Sequence, residues 1–366
     1  MTLIIDSLSI PPNIKGCLKT MQTDYDLERE GKKGANGYLF FGVNKIINTK
    51  VAIKFYYWGG NDDYHFEPQA MASLGAANVL TVLSAGMAGK DWAYFVSPYI
   101  GNGDLDDCRS KSSIDALLAI DIISSALHGL TCLHQKGFVH RDLKPDNIFV
   151  QNDREGMIGD LGSLRKIPDG ENNVLSSGHT TLYRPPESFA TKRYDARGDV
   201  YQMGVVLYQI LGGLFPYDES SWIPKSQMSL YNSIVDDFDR TSFVNQCIQE
   251  RICKSKAVEC ASLPNWIPDS LKRIIRKATH VDIDKRYQSA CEFQVALSNV
   301  RASIYNWQII GGWLLLEADP SYRINMNPFD GQVYKSRNGQ VWRKDNSIKG
   351  DLPALIAGIE KGLTRR

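Results

Sequence analysis

Residues 140–147 read His-Arg-Asp-Leu-Lys-Pro-Asp-Asn, and this octapeptide decides the interpretation of the whole chain. Three of its side chains have separate chemical uses. The carboxylate of Asp142 can orient and deprotonate a hydroxyl group, and the ammonium of Lys144 can offset charge on a phosphoryl group. The amide oxygen of Asn147 is a ligand suited to Mg²⁺. The octapeptide therefore predicts a phosphoryl-transfer site on a polar loop between a helix and a short strand.

The composition is that of an intracellular globular protein. The chain has 366 residues, of which 43% are apolar and 23% charged, enough for one large two-lobed domain or two ordinary ones. A net charge of +1 argues against a nucleic-acid or membrane-surface role. The seven scattered cysteines lack zinc spacing and predict reduced thiols. We expect a cytoplasmic protein without a membrane anchor, because no secretory leader is present and the most apolar windows are short.

Hydrophobic periodicity divides the chain into a strand-rich first part and a helical second part. Three β-branched and aromatic segments separated by turns predict strands over residues 38–43, 50–57 and 92–98. A helical window interrupts them at Phe66–Leu74, and apolar repeats predict long helices over residues 113–135 and 199–214. A small β-rich lobe followed by a larger helical lobe is an α+β arrangement.

Four further motifs surround the octapeptide, and each has an ordinary structural interpretation. The glycine-rich stretch over residues 31–39 fits a phosphate-binding turn or a plain hairpin. Lys54 ends the strand segment Val-Ala-Ile-Lys, and its ordinary interpretation is a solvated lysine at the end of a strand. Glu67, on the next predicted helix, is either an ion-pair partner of Lys54 or a surface glutamate. Asp160 begins the motif Asp-Leu-Gly, whose ordinary interpretation is a turn. Glu187 ends the motif Pro-Pro-Glu.

The order and spacing of these motifs resemble those of the eukaryotic-type Ser/Thr protein kinase family over roughly residues 25–300. The resemblance implies a bilobal kinase fold, with an N-lobe over residues 1–98 that includes an N-terminal extension (1–24) and a C-lobe over residues 99–300. Residues 301–366 lie outside it and predict a small α/β addition. One departure is Lys32, which stands where the family has glycine.

The resemblance implies an ATP site between the lobes. Leu39 would cover the adenine and Phe149 would lie beneath it, with Ser97 as gatekeeper before a hinge over residues 98–100. The residues expected to bind the nucleotide are Gly31, Lys32, Lys33, Gly34, Ala35, Asn36, Gly37, Leu39, Ala52, Lys54, Glu67, Pro98, Ile100 and Phe149. The implied cofactors are ATP and Mg²⁺, with Mn²⁺ as a substitute.

The same resemblance assigns the remaining site residues. Asp142 and Lys144 are the expected catalytic residues, and Asn147 and Asp160 the expected metal ligands. The activation segment from Asp160 to Glu187 offers as regulatory hydroxyls Ser163, Ser176, Ser177 and Thr181. Structural roles are expected for Arg141, Thr180, Glu187, Asp199 and Arg286. The expected partner is a protein substrate with a Ser or Thr acceptor, and nucleic acid is not expected. A nucleotide-binding pseudokinase scaffold is the alternative function.

Two segments fall outside the resemblance. Residues 217–263 predict an enlarged helical segment. In the C-terminal addition, Asn338-Gly339 predicts a hairpin between strands over 332–337 and 340–344, and Leu352–Leu363 predicts a helix. This addition carries ten Lys or Arg against six Asp or Glu. Its five aromatic residues predict a small core packed on the kinase, and partner docking through them is the alternative: Trp307, Trp313, Tyr322, Tyr334 and Trp342.

Overall fold

A computed structural model describes residues 3–31, 37–176, 181–326 and 329–363. The first lobe is built on a five-stranded antiparallel sheet in the order β1-β2-β3-β5-β4. Its strands are β1 (Tyr25–Glu30), β2 (Gly37–Asn44), β3 (Thr49–Tyr57), β4 (Ser84–Met87) and β5 (Trp92–Pro98). The helix α2 (Phe66–Leu74) lies between β3 and β4 in the chain and packs on the side of the second lobe.

The opposite face of this sheet is covered by the N-terminal extension. The helix α1 (Pro12–Met21) buries one side of its surface, because Ile14 and Leu18 recur at helical spacing. These side chains form a separate core with Phe40, Phe55 and other sheet residues. The extension is therefore part of the packed lobe.

Truncation of Leu18 should destabilise this lobe strongly. Leu18 is fully buried against the sheet, so Leu18→Ala removes apolar contacts and leaves a cavity. We expect a loss of about 2–5 kcal/mol in the free energy of unfolding, measured by urea denaturation. The exposed neighbour Lys19→Ala is the control, since its ion pair with Asp6 is solvated and should contribute less than about 1 kcal/mol. Equal losses in the two variants would contradict this account.

The second lobe is helical and surrounds two buried helices. Its helices are α3 (Leu105–Lys111), α4 (Ala116–Gln135), α5 (Pro186–Thr191), α6 (Ala196–Ile210), α7 (Met228–Ser233), α8 (Asp237–Cys253), α9 (Asp269–Ala278) and α10 (Ala290–Arg301). Short antiparallel pairs join β6 (Phe138–Val139) to β9 (Arg165–Lys166), β7 (Ile148–Gln151) to β8 (Glu155–Ile158), and β10 (Val174–Leu175) to β11 (Arg193–Tyr194). The α+β, two-lobed fold class predicted from the sequence is confirmed.

The two central helices explain the most apolar stretches of sequence. α4 is long and apolar enough to cross a membrane, yet more than half of its most apolar window is buried inside the protein. It is thus a core helix of this lobe. α6 is buried on nearly every side, as predicted, but it begins at Ala196 and ends at Ile210, not at 199 and 214. Asp195 caps its first turn through the N–H of Arg197, which sets the earlier start.

The C-terminal residues form a second five-stranded antiparallel sheet covered on one face by a helix. The strands are β12 (Trp307–Ile310), β13 (Trp313–Leu316), β14 (Ser321–Met326), β15 (Phe329–Ser336) and β16 (Arg343–Asp345), in sequence order. α11 (Leu352–Leu363) packs on this sheet as the predicted helix. The addition contacts the start of α4, where Gln308 Nε2 donates to Asp115 Oδ2 at 2.8 Å.

Two sequence-based expectations about this addition were wrong in detail. The hairpin exists, but its pairing ends at Lys335 and Arg343, so a longer loop replaces the predicted two-residue turn. The reason is the side chain of Asn338, whose Oδ1 accepts from the N–H groups of Gln340 and Val341 and folds the loop on itself. Of the five aromatic residues, only Trp307 and Tyr322 enter the core.

Candidate active site

The loop over residues 140–147 contains the expected catalytic residues, so we call it the catalytic loop. One buried carboxylate holds it in place. Asp199 on α6 is fully buried, and its Oδ2 and Oδ1 accept from the backbone N–H groups of His140 and Arg141 at 2.8 and 2.9 Å. His134 Nε2 and the hydroxyl of Tyr194 lie 2.8 and 2.7 Å from the same carboxylate. Burial would raise the pKa of Asp199, but its hydrogen bond and charge interaction with His134 lower it below the usual value. Asp199 therefore remains ionised and fixes the loop.

The reactive end of this loop brings three predicted residues together. Lys144 Nζ lies 3.2 Å from Asp142 Oδ2, and the Asn147 amide nitrogen donates to the Asp142 backbone carbonyl at 2.7 Å. This bond turns the nitrogen of Asn147 toward the loop and leaves its amide oxygen available to a cation. Asp142 is mostly buried, with 8% of its surface exposed. The loop thus presents a carboxylate, an ammonium and an amide oxygen within a few residues.

Asp160 reaches the same place from the β7–β8 hairpin. The N–H of Gly159 donates to the Asn147 carbonyl at 2.9 Å, which brings the residue before Asp160 against the catalytic loop. Asp160 has a left-handed backbone with φ of 52°. Burial raises its pKa, but the charges of Lys54, His140 and Lys144 outweigh burial and lower it. An ionised carboxylate beside the Asn147 loop fits a Mg²⁺ ligand set.

Lys54 and Glu67 form an ion pair across the first lobe. Lys54 Nζ lies 2.8 and 2.9 Å from the two carboxylate oxygens of Glu67. Burial opposes the charge on Lys54, but Glu67 and Asp160 raise its pKa. Pro68 is accommodated because it lies in the first turn of α2, where no backbone N–H is needed for the helix. The pair expected from the sequence is therefore present.

The position of α2 also depends on the second lobe. Lys136, which follows α4, donates a hydrogen bond from Nζ to the carbonyl of Leu74 at the end of α2. A cation there suits the exposed carbonyls at a helix C-terminus. Lys136 could not be identified from the sequence, because no local pattern shows that it reaches a helix some sixty residues earlier. His134 was missed for the same reason, although it lies six residues before His140.

The residues expected to surround the adenine lie on strands of the first lobe and at its junction with the second. Ala52 pairs with Ser97 across β3 and β5, and Leu39 pairs with Lys54 across β2 and β3. Ser97 and Ile100 are both buried. The rest of the predicted nucleotide site is placed as follows: Pro98 ends β5, Gly37 begins β2, and Gly31 follows β1.

The ring of Phe149 lies beside Gly159, the residue before Asp160. A Cβ built on Gly159 would approach its ring to 2.5 Å, so only glycine fits beside it. The predicted residues Lys32, Lys33, Gly34, Ala35 and Asn36 lie outside the described residues.

The activation segment is tied to the catalytic loop by Arg141. Its guanidinium donates to the carbonyls of Ser163 at 2.8 Å and Leu175 at 2.6 Å. Ser163 is buried, whereas Ser176 borders a small cleft shared with Arg141 and Arg184. Thr181 begins a short helical turn and is half-buried. The expectations for Ser177 and Thr180 lie outside the described residues.

A buried ion pair anchors the end of this segment. Arg286, whose side chain is fully buried, places its two terminal nitrogens 2.9 and 2.6 Å from the carboxylate oxygens of Glu187. This bidentate pair joins the start of α5 to the loop before α10.

Removing the charge of Glu187 should destabilise the protein severely. Glu187→Gln leaves the guanidinium of Arg286 buried without its anion, at an expected cost of about 3–5 kcal/mol in the free energy of unfolding. Urea denaturation measures the loss. The control is Lys285→Gln, since the ion pair of Lys285 with Asp282 is exposed and should contribute less than about 1 kcal/mol. A Glu187→Gln variant as stable as this control would contradict the role of the pair.

Comparison with known proteins agrees with this geometry. The family model described as "Protein kinase domain" matches residues 27–296. The chain belongs to the protein kinase family. A probable serine/threonine-protein kinase from Clostridium perfringens is 27% identical over 294 residues, which cover 77% of this chain and 39% of that protein. The serine/threonine-protein kinase pkn2 of Myxococcus xanthus is 27% identical over 285 residues, covering 74% and 32%.

A mammalian protein is also similar to this chain. The interferon-induced, double-stranded RNA-activated protein kinase of Mus musculus is 28% identical over 214 residues, covering 53% of this chain and 41% of its own length. The chain spans about a third to two-fifths of the length of the curated relatives it matches. The family membership predicted from the sequence is thus confirmed.

One carboxyl group of the kinase's catalytic loop should titrate near neutrality. Burial, followed by a hydrogen bond with Asp106, raises the pKa of Asp146 to about 6. Because the folded protein holds this proton more tightly than the unfolded chain, stability should fall as pH rises from about 4 through about 6. Asp106→Asn removes the second carboxylate and should reduce that fall, measured by urea denaturation across this pH range. An unchanged pH dependence would show that the two groups do not interact.

Proposed function

We propose that this chain transfers the γ-phosphoryl group of ATP to Ser or Thr hydroxyls of proteins, including its own, in the cytoplasm. The observation that carries the proposal is the ion pair of Lys54 with Glu67 beside the ionised Asp160. Protein kinases need this Lys–Glu ion pair and the metal-binding Asp in place together for activity. The free cysteines of the described residues agree with a reducing compartment.

Each residue has a distinct task in the proposed reaction. Lys54 binds the α- and β-phosphates of ATP, held in place by Glu67. Asp142 orients the substrate hydroxyl, and Lys144, 3.2 Å from that carboxylate, offsets negative charge on the γ-phosphoryl oxygens. The hydroxyl oxygen bonds to the γ-phosphorus while the bond to the β-phosphate oxygen breaks. The hydroxyl proton passes to Asp142, and ADP leaves with the electron pair.

A divalent cation, Mg²⁺ or Mn²⁺, completes the proposed site. Asp160 and the amide oxygen of Asn147 would hold it. The Asp160 carboxylate is ionised, and the Asn147 oxygen is free to bind a cation because the amide nitrogen makes the hydrogen bond to the loop. When bound, the cation neutralises charge on the β- and γ-phosphates. The protein's own contribution is positioning and fixed electrostatics.

Mass spectrometry after incubation with Mg-ATP tests this proposal. The wild-type chain should gain phosphoryl groups on serine or threonine residues and should phosphorylate casein, whereas Asp142→Ala should do neither. The alternative is a pseudokinase that binds nucleotide as a scaffold. Thermal stabilisation by ATP without phosphoryl transfer under Mg²⁺ or Mn²⁺ would favour that alternative and overturn the proposal.

A further inference from the structure

The C-terminal sheet has two faces of different character. Leu314, Ile324 and Val333 point toward α11 and are buried. The residues that alternate with them, including Arg323 and Tyr334, point the other way and remain half-exposed. We call this second side the aromatic face and define it by the following residues: Trp313, Leu315, Arg323, Tyr334, Trp342 and Lys344. The helix α11 packs on the other side of the sheet.

The centre of the aromatic face is an arginine held between two indole rings. The Cζ atom of Arg323 lies 4.2 Å from the ring centroid of Trp313 and 4.4 Å from that of Trp342. The ring of Tyr334 is 5.7 Å away and meets Trp313 edge-on. Trp342 is fixed in turn by a hydrogen bond from its Nε1 to the Gly339 carbonyl at 3.0 Å. The guanidinium is therefore rigidly oriented before any ligand arrives.

This cation has no anionic partner among residues 3–31, 37–176, 181–326 and 329–363. Its Nε is buried and makes no hydrogen bond there. Two acidic residues lie on the strands beyond β14, and neither is paired with Arg323. Asp345 on β16 lies on the α11 side, where Lys335 pairs with it at 2.9 Å. Asp330 on β15 is exposed and accepts from the backbone N–H of Gln332. Partly buried charges are normally paired, because removing an unpaired charge from water costs free energy. The face thus has a place for an anion that the described chain does not fill.

A second cation lies on the same face. Arg323 pairs with Tyr334, and Tyr334 pairs with Lys344, in adjacent strands. Two strand spacings separate the arginine and lysine backbones by about 10 Å, so their side chains can converge above Tyr334. Two cations favour a phosphomonoester, which carries a charge of about −1.5 to −2, over a single carboxylate.

We propose that the aromatic face binds a phosphorylated serine or threonine of a protein chain. The inference rests on the proposed function, because such groups are the products of a Ser/Thr kinase. Arg323 would bind the phosphate oxygens, and Lys344 would supply the second charge. Exposed Val341 and Ile310 offer apolar contacts to flanking residues. Stacking of nucleic-acid bases is disfavoured, because Arg323 occupies the facing surfaces of both indoles.

Fluorescence anisotropy with labelled peptide pools tests this proposal independently of catalysis. The protein is the full chain carrying Asp142→Ala, so that no phosphoryl transfer occurs during binding. A phosphoserine pool with degenerate flanks should bind, and its unphosphorylated counterpart should not. Arg323→Gln should weaken binding at least about tenfold. Arg343→Gln removes the same charge from the other face and should leave binding unchanged.

The possible results separate the proposal from its rivals. Lys344→Gln, at an exposed position that cannot affect folding greatly, should weaken binding several-fold even if Arg323→Gln misfolds. Absence of phosphopeptide binding overturns this proposal. It does not bear on the proposed kinase function, which the transfer assay tests separately. Displacement of the peptide by inorganic phosphate at equal affinity would reduce the face to a simple anion site. Arginine-dependent binding of a labelled single-stranded RNA, without phosphopeptide binding, would identify a nucleic-acid surface in its place.

Discussion

Asp142→Ala should reduce phosphoryl transfer by about 10²–10⁴-fold while the protein stays folded. Asp142 is the carboxylate that would orient the acceptor hydroxyl and take its proton, and Lys144 lies 3.2 Å from it. The substitution removes a mostly buried charge without opening the core, since the loop backbone is held by Asp199. The measurement is the initial rate of phosphate transfer from labelled ATP to casein.

The control for this prediction is Asp169→Ala, which removes an exposed carboxylate from the activation segment. It should leave the rate within a few-fold of the wild type. ATP-induced thermal stabilisation should survive in Asp142→Ala, because nucleotide binding depends on other residues. A wild-type rate in Asp142→Ala would refute its assignment.

Lys54→Met should lower kcat/KM by on the order of 10²–10³-fold. The substitution keeps an unbranched side chain of similar shape but removes the ammonium that pairs with Glu67 at 2.8 Å and is attracted to the charge of Asp160. Glu67 is then left partly buried without its cation, so the thermal midpoint should fall as well. Steady-state kinetics with ATP as the varied substrate measures the first effect.

The matched control is Lys50→Met on the same strand, where the side chain is exposed. It should leave kcat/KM nearly unchanged, because Lys50 lies at the start of β3, away from Glu67. A Lys54→Met variant that retained ATP-dependent stabilisation but no transfer would place Lys54 in catalysis and not in binding. Retention of full activity would remove it from the site.

The two-lobed fold and the main contacts of the site could be predicted because their signals are local and ordered. The catalytic loop, Lys54 and Glu67 were each identified from short motifs, and the structure brings Lys54 and Glu67 into one ion pair. The long helices were visible as apolar repeats, although the end of α6 depended on a capping residue. Local signals therefore predict which helices and strands exist more reliably than they predict the residues at which these begin and end.

Contacts between segments far apart in sequence could not be predicted in this way. The docking of α1 on the N-lobe sheet and the hydrogen bond of Lys136 to α2 depend on tertiary packing that no motif announces. The position of Arg323 between Trp313 and Trp342 depends on strand register, which the Asn-Gly signal set incorrectly. These contacts required the structure.

Crystals grown with Mn²⁺ and a non-hydrolysable ATP analogue would test the central claim most directly, through the anomalous signal of the metal. We expect one metal bound by both the Asp160 carboxylate and the Asn147 amide oxygen, at about 2.1 Å, with the terminal phosphate facing Asp142. A nucleotide bound elsewhere, or a metal that contacts neither side chain, would contradict it.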